Sequence, residues 1–313
     1  MILNLFIFLI AFFILVKSAQ ITVKSLERIA IFFGFSEFSV GFILMAAATS
    51  IPELFVGVSS AFSQVSNLSL GNIIGANIVD LTLVGGTIAF ILGGVRFEGK
   101  IERRETIYMV IIALLPILML LDKELSRFDG FILVLVYLIY ILNLLREKKS
   151  FKKVLNDHGW RGILKAFFLF IVGFLGLILG ARLIVIYGIS IATSFSIPLV
   201  LIGLLAISMG TTLPELAFEF QAVKTGHQGM ALGDLLGSVV TNSAFVLGIV
   251  ALIQPIVIKE FNLFLFNAGF LVVVLFVFAF FASRKSGLTR MEGLGLLVLY
   301  ILFFAFNLAF WKL

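Results

Sequence analysis

Two stretches of the sequence decide the fold: Ala46-Ala47-Ala48-Thr49-Ser50-Ile51-Pro52-Glu53 and Ser208-Met209-Gly210-Thr211-Thr212-Leu213-Pro214-Glu215. Each places a proline and a glutamate inside an apolar, small-residue segment, and corresponding residues lie 162 positions apart. A carboxylate within hydrocarbon is costly, so such a residue commonly belongs to a functional site. The duplicated Pro-Glu therefore predicts one site that both halves of the chain build.

A glycine-rich polar stretch follows each Pro-Glu at the same offset, GNIIGANIVD at 71–80 and GDLLGSVVTN at 233–242. Glycines four residues apart share one face of a helix, where they allow two backbones to pack closely. We expect the accompanying polar side chains to point into the interior that holds the two glutamates. They are Asn72, Asp80, Asp234, Ser238 and Asn242, with Asp80 and Asn242 as repeat equivalents that flank the glutamates.

The composition places the whole chain in a membrane. It is 61% hydrophobic and 13% charged, with a mean hydropathy of +1.20, whereas soluble domains carry about 25% charged residues. The absence of cysteine excludes disulfides and thiolate metal sites. The net charge of +6 comes from basic residues in short loops between apolar segments, so it does not indicate a nucleic-acid partner. A lipid bilayer is the expected surrounding.

We expect ten membrane spans, each of about 20 apolar residues. They are 2–22, 38–62, 68–94, 106–121, 129–145, 162–186, 196–222, 229–254, 261–283 and 292–310. The first and sixth are followed by amphipathic stretches, so their helices are expected to extend beyond the bilayer.

The loops after the third, fifth and ninth spans are basic and are predicted to face the cytoplasm, with both termini outside. The 162-residue offset divides ten spans into five and five. Because five is odd, the second half enters the membrane from the opposite side. The predicted fold is an all-α cell-membrane protein built from two inverted five-helix repeats, 1–155 and 156–313, a common plan of secondary transporters.

The chemistry around each Pro-Glu suits a hard cation. Proline has no N–H, so Pro52 and Pro214 leave the carbonyls of Ala48 and Gly210 without their helical donors. The Thr49 and Thr211 carbonyls should be loosened as well. Hydroxyls stand beside the two glutamates, on Thr49, Ser50, Thr211 and Thr212. Carboxylate, carbonyl and hydroxyl oxygens together form the kind of shell that Ca²⁺ prefers.

Both elements resemble the alpha-1 and alpha-2 repeats of the cation/calcium antiporter superfamily, and in particular its sodium/calcium exchanger branch. That resemblance implies calcium extrusion by alternating access. It implies that Glu53 and Glu215 bridge calcium, and that the Thr49 and Thr211 carbonyls complete its shell. It assigns the hydroxyls of Ser50, Thr212 and Ser238, and the carbonyls of Ala46 and Ser208, to flanking sodium sites. Asp80 and Asn242 match the acid and amide between the glutamates.

The counter-ion stays open between H⁺ and Na⁺ at this point. Ala76 stands where the exchangers often carry a sodium-site serine, and Asp80 adds a third acid beside the glutamates. Crowded, buried acids favour protonation when no other cation is bound. We therefore expect Ca²⁺/H⁺ exchange, with Na⁺/Ca²⁺ exchange as the alternative.

Two other classes of function compete with an exchanger: a cation channel with an acidic selectivity ring, and an intramembrane hydrolase. No organised nucleophile accompanies the acids, so we expect no enzymatic activity. We also expect that the protein has no cofactor and functions as a monomer. Glu219 either serves an access path or lies solvated near a membrane end.

Overall fold

The structure, a computed structural model, describes residues 2–33, 36–62, 64, 66–95, 100–146, 160–194, 199–258, 261–284 and 287–311. Within these ranges the chain is almost entirely helical. The α-helices are α1 (Ile2–Phe33), α2 (Glu37–Val40), α3 (Ala46–Thr49), α4 (Ile51–Phe62), α5 (Asn67–Val79), α6 (Gly85–Leu92), α7 (Lys100–Met119), α8 (Arg127–Arg146), α9 (Trp160–Ser194), α10 (Leu199–Lys224), α11 (Gln228–Val240), α12 (Leu247–Ile253), α13 (Phe261–Ser283) and α14 (Arg290–Trp311).

The prediction of a ten-span helical membrane protein is confirmed. Nine segments in the described part of the chain are long and apolar enough to cross a bilayer, and α10, which carries the second Pro-Glu, supplies the tenth. The predicted ninth span, 261–283, matches α13 to the residue. As expected, α1 and α9 continue well past one bilayer thickness, with 32 and 35 residues. The predicted repeat boundary at 155 lies outside the described residues and stays a prediction.

The two Pro-Glu helices differ in continuity. In the first half the helix is interrupted at Ser50, which has φ −76° and ψ 0° and separates α3 from α4. In the second half α10 continues through Pro214. Pro52 and Pro214 occupy the same repeat position, so the residue type does not by itself decide whether the helix breaks.

The polar elements of the two halves share an irregularity. A π-helical turn runs over Asp80–Val84 between α5 and α6, and another runs over Thr241–Val246 between α11 and α12. A third π-helical turn, Gly41–Met45, joins α2 to α3. Single π-helical turns within α-helices are frequent at functional sites. Here the first two begin at or beside Asp80 and Asn242, the acid and amide singled out by the sequence.

The spans that hold the polar elements form the centre of the molecule. In Ser69–Leu92 and in Gln228–Ile253, 78% of the most apolar window is buried, against 22–33% for Arg127–Leu145, Phe261–Ser283 and Arg290–Asn307. Outer helices expose large apolar side chains such as Phe128, Phe168 and Phe280, as a lipid-facing surface requires. The candidate site therefore lies in the middle of the bundle.

Glycines allow this close packing where the sequence predicted it in the second half. A Cβ at Gly233 would lie 2.3 Å from the Phe38 carbonyl oxygen, and one at Gly237 would lie 2.5 Å from the Ala46 Cβ. In the first half, a Cβ at Gly71 would meet no described atom within 4 Å. The expected glycine seam is thus present between α11 and the Glu37–Thr49 region, and Gly71 does not take part in a comparable contact with described atoms.

Contacts between loops agree with alternating spans. Strands β1 (Glu124–Leu125) and β2 (Ile256–Val257) pair antiparallel. They join the loop between α7 and α8 to the loop between α12 and α13. Val95 and Leu288 form a bridge that joins the loop after α6 to the loop before α14. Each pair unites two loops that the ten-span topology places on the same face. Which face is cytoplasmic remains the prediction made from the basic loops.

Candidate cation site

Five carboxyl groups are buried in the centre of the bundle. Glu53, Asp80, Glu215, Glu219 and Asp234 are all at most 2% exposed. The sequence predicted the first three as site residues and left the roles of Glu219 and Asp234 open. Burial excludes the interpretation of Glu219 as a solvated residue near a membrane end.

The buried acids lie near enough to influence one another electrostatically, which indicates that they form one cluster. When ionised, Glu215 would be repelled by Glu53, Asp80 and Asp234, and Asp80 by Glu53 and Asp234. Glu219 would be repelled by Asp234 and Asp80. Acids of both halves are therefore near enough to share a bound positive charge, and a buried charge requires such a partner.

Several carboxylate oxygens of this cluster have no hydrogen-bond partner within the described part of the chain. Both oxygens of Asp80 are in this position, together with one oxygen each of Glu215, Glu219 and Asp234. An unsatisfied buried oxygen costs about 1–3 kcal/mol, and more when charged. The cluster is consequently suited to binding cations or protons that would satisfy these oxygens.

A hydroxyl network links the interrupted first Pro-Glu helix to the second half. The Thr49 hydroxyl lies 3.2 Å from Asp234 Oδ1 and 3.3 Å from the Ser238 hydroxyl. It also lies 3.1 Å from the Met45 carbonyl oxygen of its own helix. The sequence predicted Thr49 and Ser238 as site residues, and the structure brings them together.

An amide network lies beside the acids, and the sequence reasoning missed part of it. Asn242 Nδ2 donates to Asn77 Oδ1 over 3.3 Å, and Asn77 Nδ2 donates to the Ser243 hydroxyl over 2.8 Å. All three side chains are at most 1% exposed. Asn77 was overlooked because its repeat equivalent is Val239, so a search for repeated polar residues could not find it. The available signal was that Asn77 is a polar residue within the glycine-rich polar stretch 71–80.

The remaining predicted site residues are placed as follows. Ser50 and Thr212 are buried, at 2% and 3% exposure. The Ala46 carbonyl accepts the Ser50 N–H over 3.1 Å, so this oxygen already has one backbone donor. Ser208 and Thr211 lie on α10, but their side chains are outside the part that the structure describes. Their predicted ligand roles stay predictions.

Side chains alone do not form a ready-made chelate. No group of three acidic, histidine or cysteine side chains among the described residues has the geometry to hold a metal ion. A cation at this site would therefore need backbone or hydroxyl oxygens in addition to carboxylates, which agrees with the shell expected from the sequence.

Of the two histidines, His227 lies at the amino end of α11, away from the acidic cluster. Its Nδ1 lies 3.0 Å from Glu37 Oε1, and its Nε2 lies 3.8 Å from Glu27 Oε2. His158 lies outside the described residues. His227 thus connects α1, α2 and α11 near one face of the molecule, and within the described part of the chain no hydrogen bond or ion pair joins it to the five acids.

Comparison with known proteins agrees with the repeats and the architecture. The sequence model of the family described as "Sodium/calcium exchanger protein" matches residues 3–146 and 165–309. The chain is 28% identical to the sodium/calcium exchanger MaX1 of Methanosarcina acetivorans, with 96% of this chain and 97% of that protein covered. It is also 28% identical to the putative antiporter CaxA of Alkalimonas amylolytica, with 94% and 95% covered.

The solved structures lead to the same relationship. The sodium-calcium exchanger NCX_Mj, soaked with 2.5 mM Na⁺ and 0.1 mM Ca²⁺, superposes with a TM-score of 0.83 at 27% identity. That match covers 97% of this chain and 98% of the other. The likeness extends over both halves and includes the regions that contain the buried acids.

Proposed function

Because the chain belongs to the sodium/calcium exchanger family, a family of membrane antiporters, we propose that it exchanges Ca²⁺ for protons at the buried acidic cluster. One observation carries this proposal: Glu53 and Glu215, the duplicated acids, are buried and close enough to repel one another. A divalent cation between them would relieve that repulsion. The two glutamates come from opposite halves, so binding would couple the ion to the relative arrangement of the halves.

The proposed calcium shell combines the two glutamates with the Thr49 and Thr211 carbonyls. In this proposal Asp80 and Asn242 flank the shell. The hydroxyls of Ser50, Thr212 and Ser238, with the Ala46 and Ser208 carbonyls, are the proposed ligands of flanking cations. Hard oxygen ligands of this kind favour Ca²⁺ over softer metals. Alternating access then requires that the loaded site opens to one face at a time.

Protons are the proposed counter-ion because the cluster is rich in acids and one flanking sodium position lacks a side-chain oxygen. Ala76 has no side-chain oxygen, and Asp80 adds a carboxylate with no hydrogen-bond partner among the described residues. Protons can neutralise such acids after calcium leaves. An uncompensated buried charge is costly. The site would therefore change the face to which it opens only with calcium or protons bound.

Sodium is the second candidate counter-ion, and the relatives favour it. MaX1 and NCX_Mj are both named sodium/calcium exchangers, and Ser50, Thr212 and Ser238 retain hydroxyls at the predicted flanking positions. The acidic cluster has the same role in either case, and only the ion that replaces calcium differs.

Calcium flux in proteoliposomes tests the function and the counter-ion together. The purified protein is reconstituted, and ⁴⁵Ca²⁺ uptake is followed with a pH gradient or a sodium gradient imposed separately. We expect uptake driven by the pH gradient in sodium-free buffer. Uptake that requires sodium and ignores pH would replace the proton proposal with the sodium one, whereas no gradient-driven uptake at all would contradict calcium exchange. Unitary currents across a planar bilayer would support the channel alternative.

A further inference from the structure

The two additional acids, Glu219 and Asp234, break the symmetry of the repeats. Their equivalents in the first half are Gly57 and Asn72, neither of which can carry a negative charge. At Gly57, the equivalent of Glu219, a larger side chain would also force neighbouring side chains to move. A Cβ at Gly57 would lie 2.8 Å from Val250 Cγ2 and 3.0 Å from the Ser69 hydroxyl.

Inverted repeats place equivalent residues on opposite sides of the central site. Asp234 lies in the first turns of α11, and Glu219 lies in the last turns of α10, one turn beyond Glu215. Both are therefore displaced toward the face that carries the loop between these helices. Asn72 and Gly57 are displaced toward the opposite face. One side of the cation site is consequently acidic and the other is neutral.

Glu219 lines a crevice on that acidic side. The lining also contains Val223 of the same helix and Ala231, Leu232 and Leu235 of α11. Val95 and Leu288, which are joined by a backbone bridge in the loops, also line it. The crevice thus extends from the loop region toward the centre, and Glu219 is the acidic side chain in its lining.

The Glu219 carboxylate is available to a cation. It is 1% exposed, and its Oε1 has no hydrogen-bond partner among the described residues. Asp234, which interacts electrostatically with Glu219, is fully buried, and its Oδ2 likewise has no hydrogen-bond partner among the described residues. Asp234 in turn contacts Thr49 beside the central site. Glu219 therefore lies at the crevice and Asp234 at the central site.

We propose that Glu219 and Asp234 form a transient binding position for a dehydrated cation, Ca²⁺ or its counter-ion, on the Val95–Leu288 side of the central site only. The inference rests on the proposed function. The basic loops predict that this side is cytoplasmic, where an extruding exchanger must collect a dilute substrate. Fixed negative charge in a narrow, low-dielectric cleft concentrates cations and raises their rate of association. The opposite side, with Asn72 and Gly57, lacks this charge and would release the ion more readily.

Calcium affinity measured separately from the two faces tests this asymmetry. Everted and right-side-out vesicles expose opposite faces, and the KM for Ca²⁺ is measured in each for the wild type and Glu219→Gln. We expect the variant to raise the KM on the Val95–Leu288 face by roughly tenfold, as loss of one unit charge partly shielded from water would, and to leave the other face unchanged. Asn72→Asp is the reciprocal variant and should lower the KM on the other face.

Equal KM changes on both faces, or no change on either, would overturn the proposed asymmetry while calcium exchange itself stands. Absence of calcium transport by the wild type in both kinds of vesicle would instead contradict the proposed function. The two failures are therefore distinguishable.

Thiol labelling keeps the inference testable if Glu219→Gln does not fold. The chain contains no cysteine, so single-cysteine variants have no background. Glu219→Cys and Val223→Cys should react with a membrane-impermeant methanethiosulfonate from the Val95–Leu288 face. Phe218→Cys, on the same helix but buried outside the crevice, should not. Reaction of Glu219→Cys from the opposite face, or no reaction, would overturn the proposal.

Discussion

The Thr49 hydroxyl lies 3.2 Å from Asp234 Oδ1 and joins the interrupted Pro-Glu helix of the first half to the polar helix of the second. Both residues are fully buried. The contact lies at the end of α3, immediately before the break at Ser50, and Thr49 is also a residue whose carbonyl is proposed to bind calcium. It therefore connects the stability of the bundle to the geometry of the site.

Thr49→Val should destabilise the protein, because it removes the hydroxyl and leaves Asp234 Oδ1 buried without this donor. An unsatisfied buried acceptor costs about 1–3 kcal/mol. Thermal unfolding in detergent measures the effect. Thr49→Ser keeps the hydroxyl and is the matched control, with a transition close to that of the wild type. Equal stability of Thr49→Val and the wild type would show that the hydrogen bond does not contribute.

Glu53→Gln and Glu215→Gln should each abolish calcium exchange and leave the protein folded. The amide is similar in size to the carboxyl group but has no negative charge, so the divalent ion loses one of its two central partners. ⁴⁵Ca²⁺ uptake by proteoliposomes measures transport, and size-exclusion chromatography with circular dichroism checks the fold. Near-normal transport by either variant would refute its assignment to the calcium site.

Gly233→Ala should disrupt the packing of α11 against the second span. The added Cβ would lie 2.3 Å from the Phe38 carbonyl oxygen, which is backbone and cannot move aside as a flexible side chain could. Gly71→Ala is the matched control at the equivalent position of the first half, where no described atom lies within 4 Å of the added Cβ. Since alanine is favoured over glycine in helices by about 1 kcal/mol, the control should be neutral or stabilising. Thermal unfolding of both variants compares the two positions, and an equal effect would contradict the asymmetric packing.

The sequence was sufficient to predict the membrane architecture and the duplicated acids, because apolar segments of bilayer length and a repeated Pro-Glu are visible without coordinates. Continuity of the helices was less predictable. Pro52 and Pro214 occupy equivalent positions, yet only the first helix is interrupted at Ser50. The outcome depends on neighbouring helices, which no local pattern contains.

Residues without a polar repeat equivalent were the hardest to recognise. Asn77 corresponds to Val239, and Glu219 corresponds to Gly57, so the symmetry that identified Glu53 and Glu215 gave no support for either. Burial of Glu219 results from the packing of α10 against α11 and the Val95–Leu288 loops. That packing depends on residues far apart in the sequence.

The basic linker at 146–153 should face the cytoplasm, with both termini outside. It contains five Lys and Arg residues in a short segment, and basic loops of this kind remain on the cytoplasmic side. A cysteine introduced by Ser150→Cys can be labelled without background in this cysteine-free chain. An impermeant maleimide should react in everted vesicles and not in intact cells. Labelling only from outside would reverse the topology, and with it the face assigned to Glu219.

The choice of counter-ion should respond to two residues of the first polar element. Ala76→Ser together with Asp80→Asn adds a hydroxyl next to the site and removes one acid, so the double variant has a more neutral oxygen set. Sodium requires several oxygens at suitable distances, whereas a proton requires only one buried carboxylate. We therefore expect wild-type calcium efflux from loaded vesicles to follow an imposed pH gradient in sodium-free buffer, and the double variant to depend more on a sodium gradient. Each single variant separates the two contributions. Wild-type flux that needs sodium and is indifferent to the pH gradient would exclude proton coupling and leave sodium as the exchanged ion.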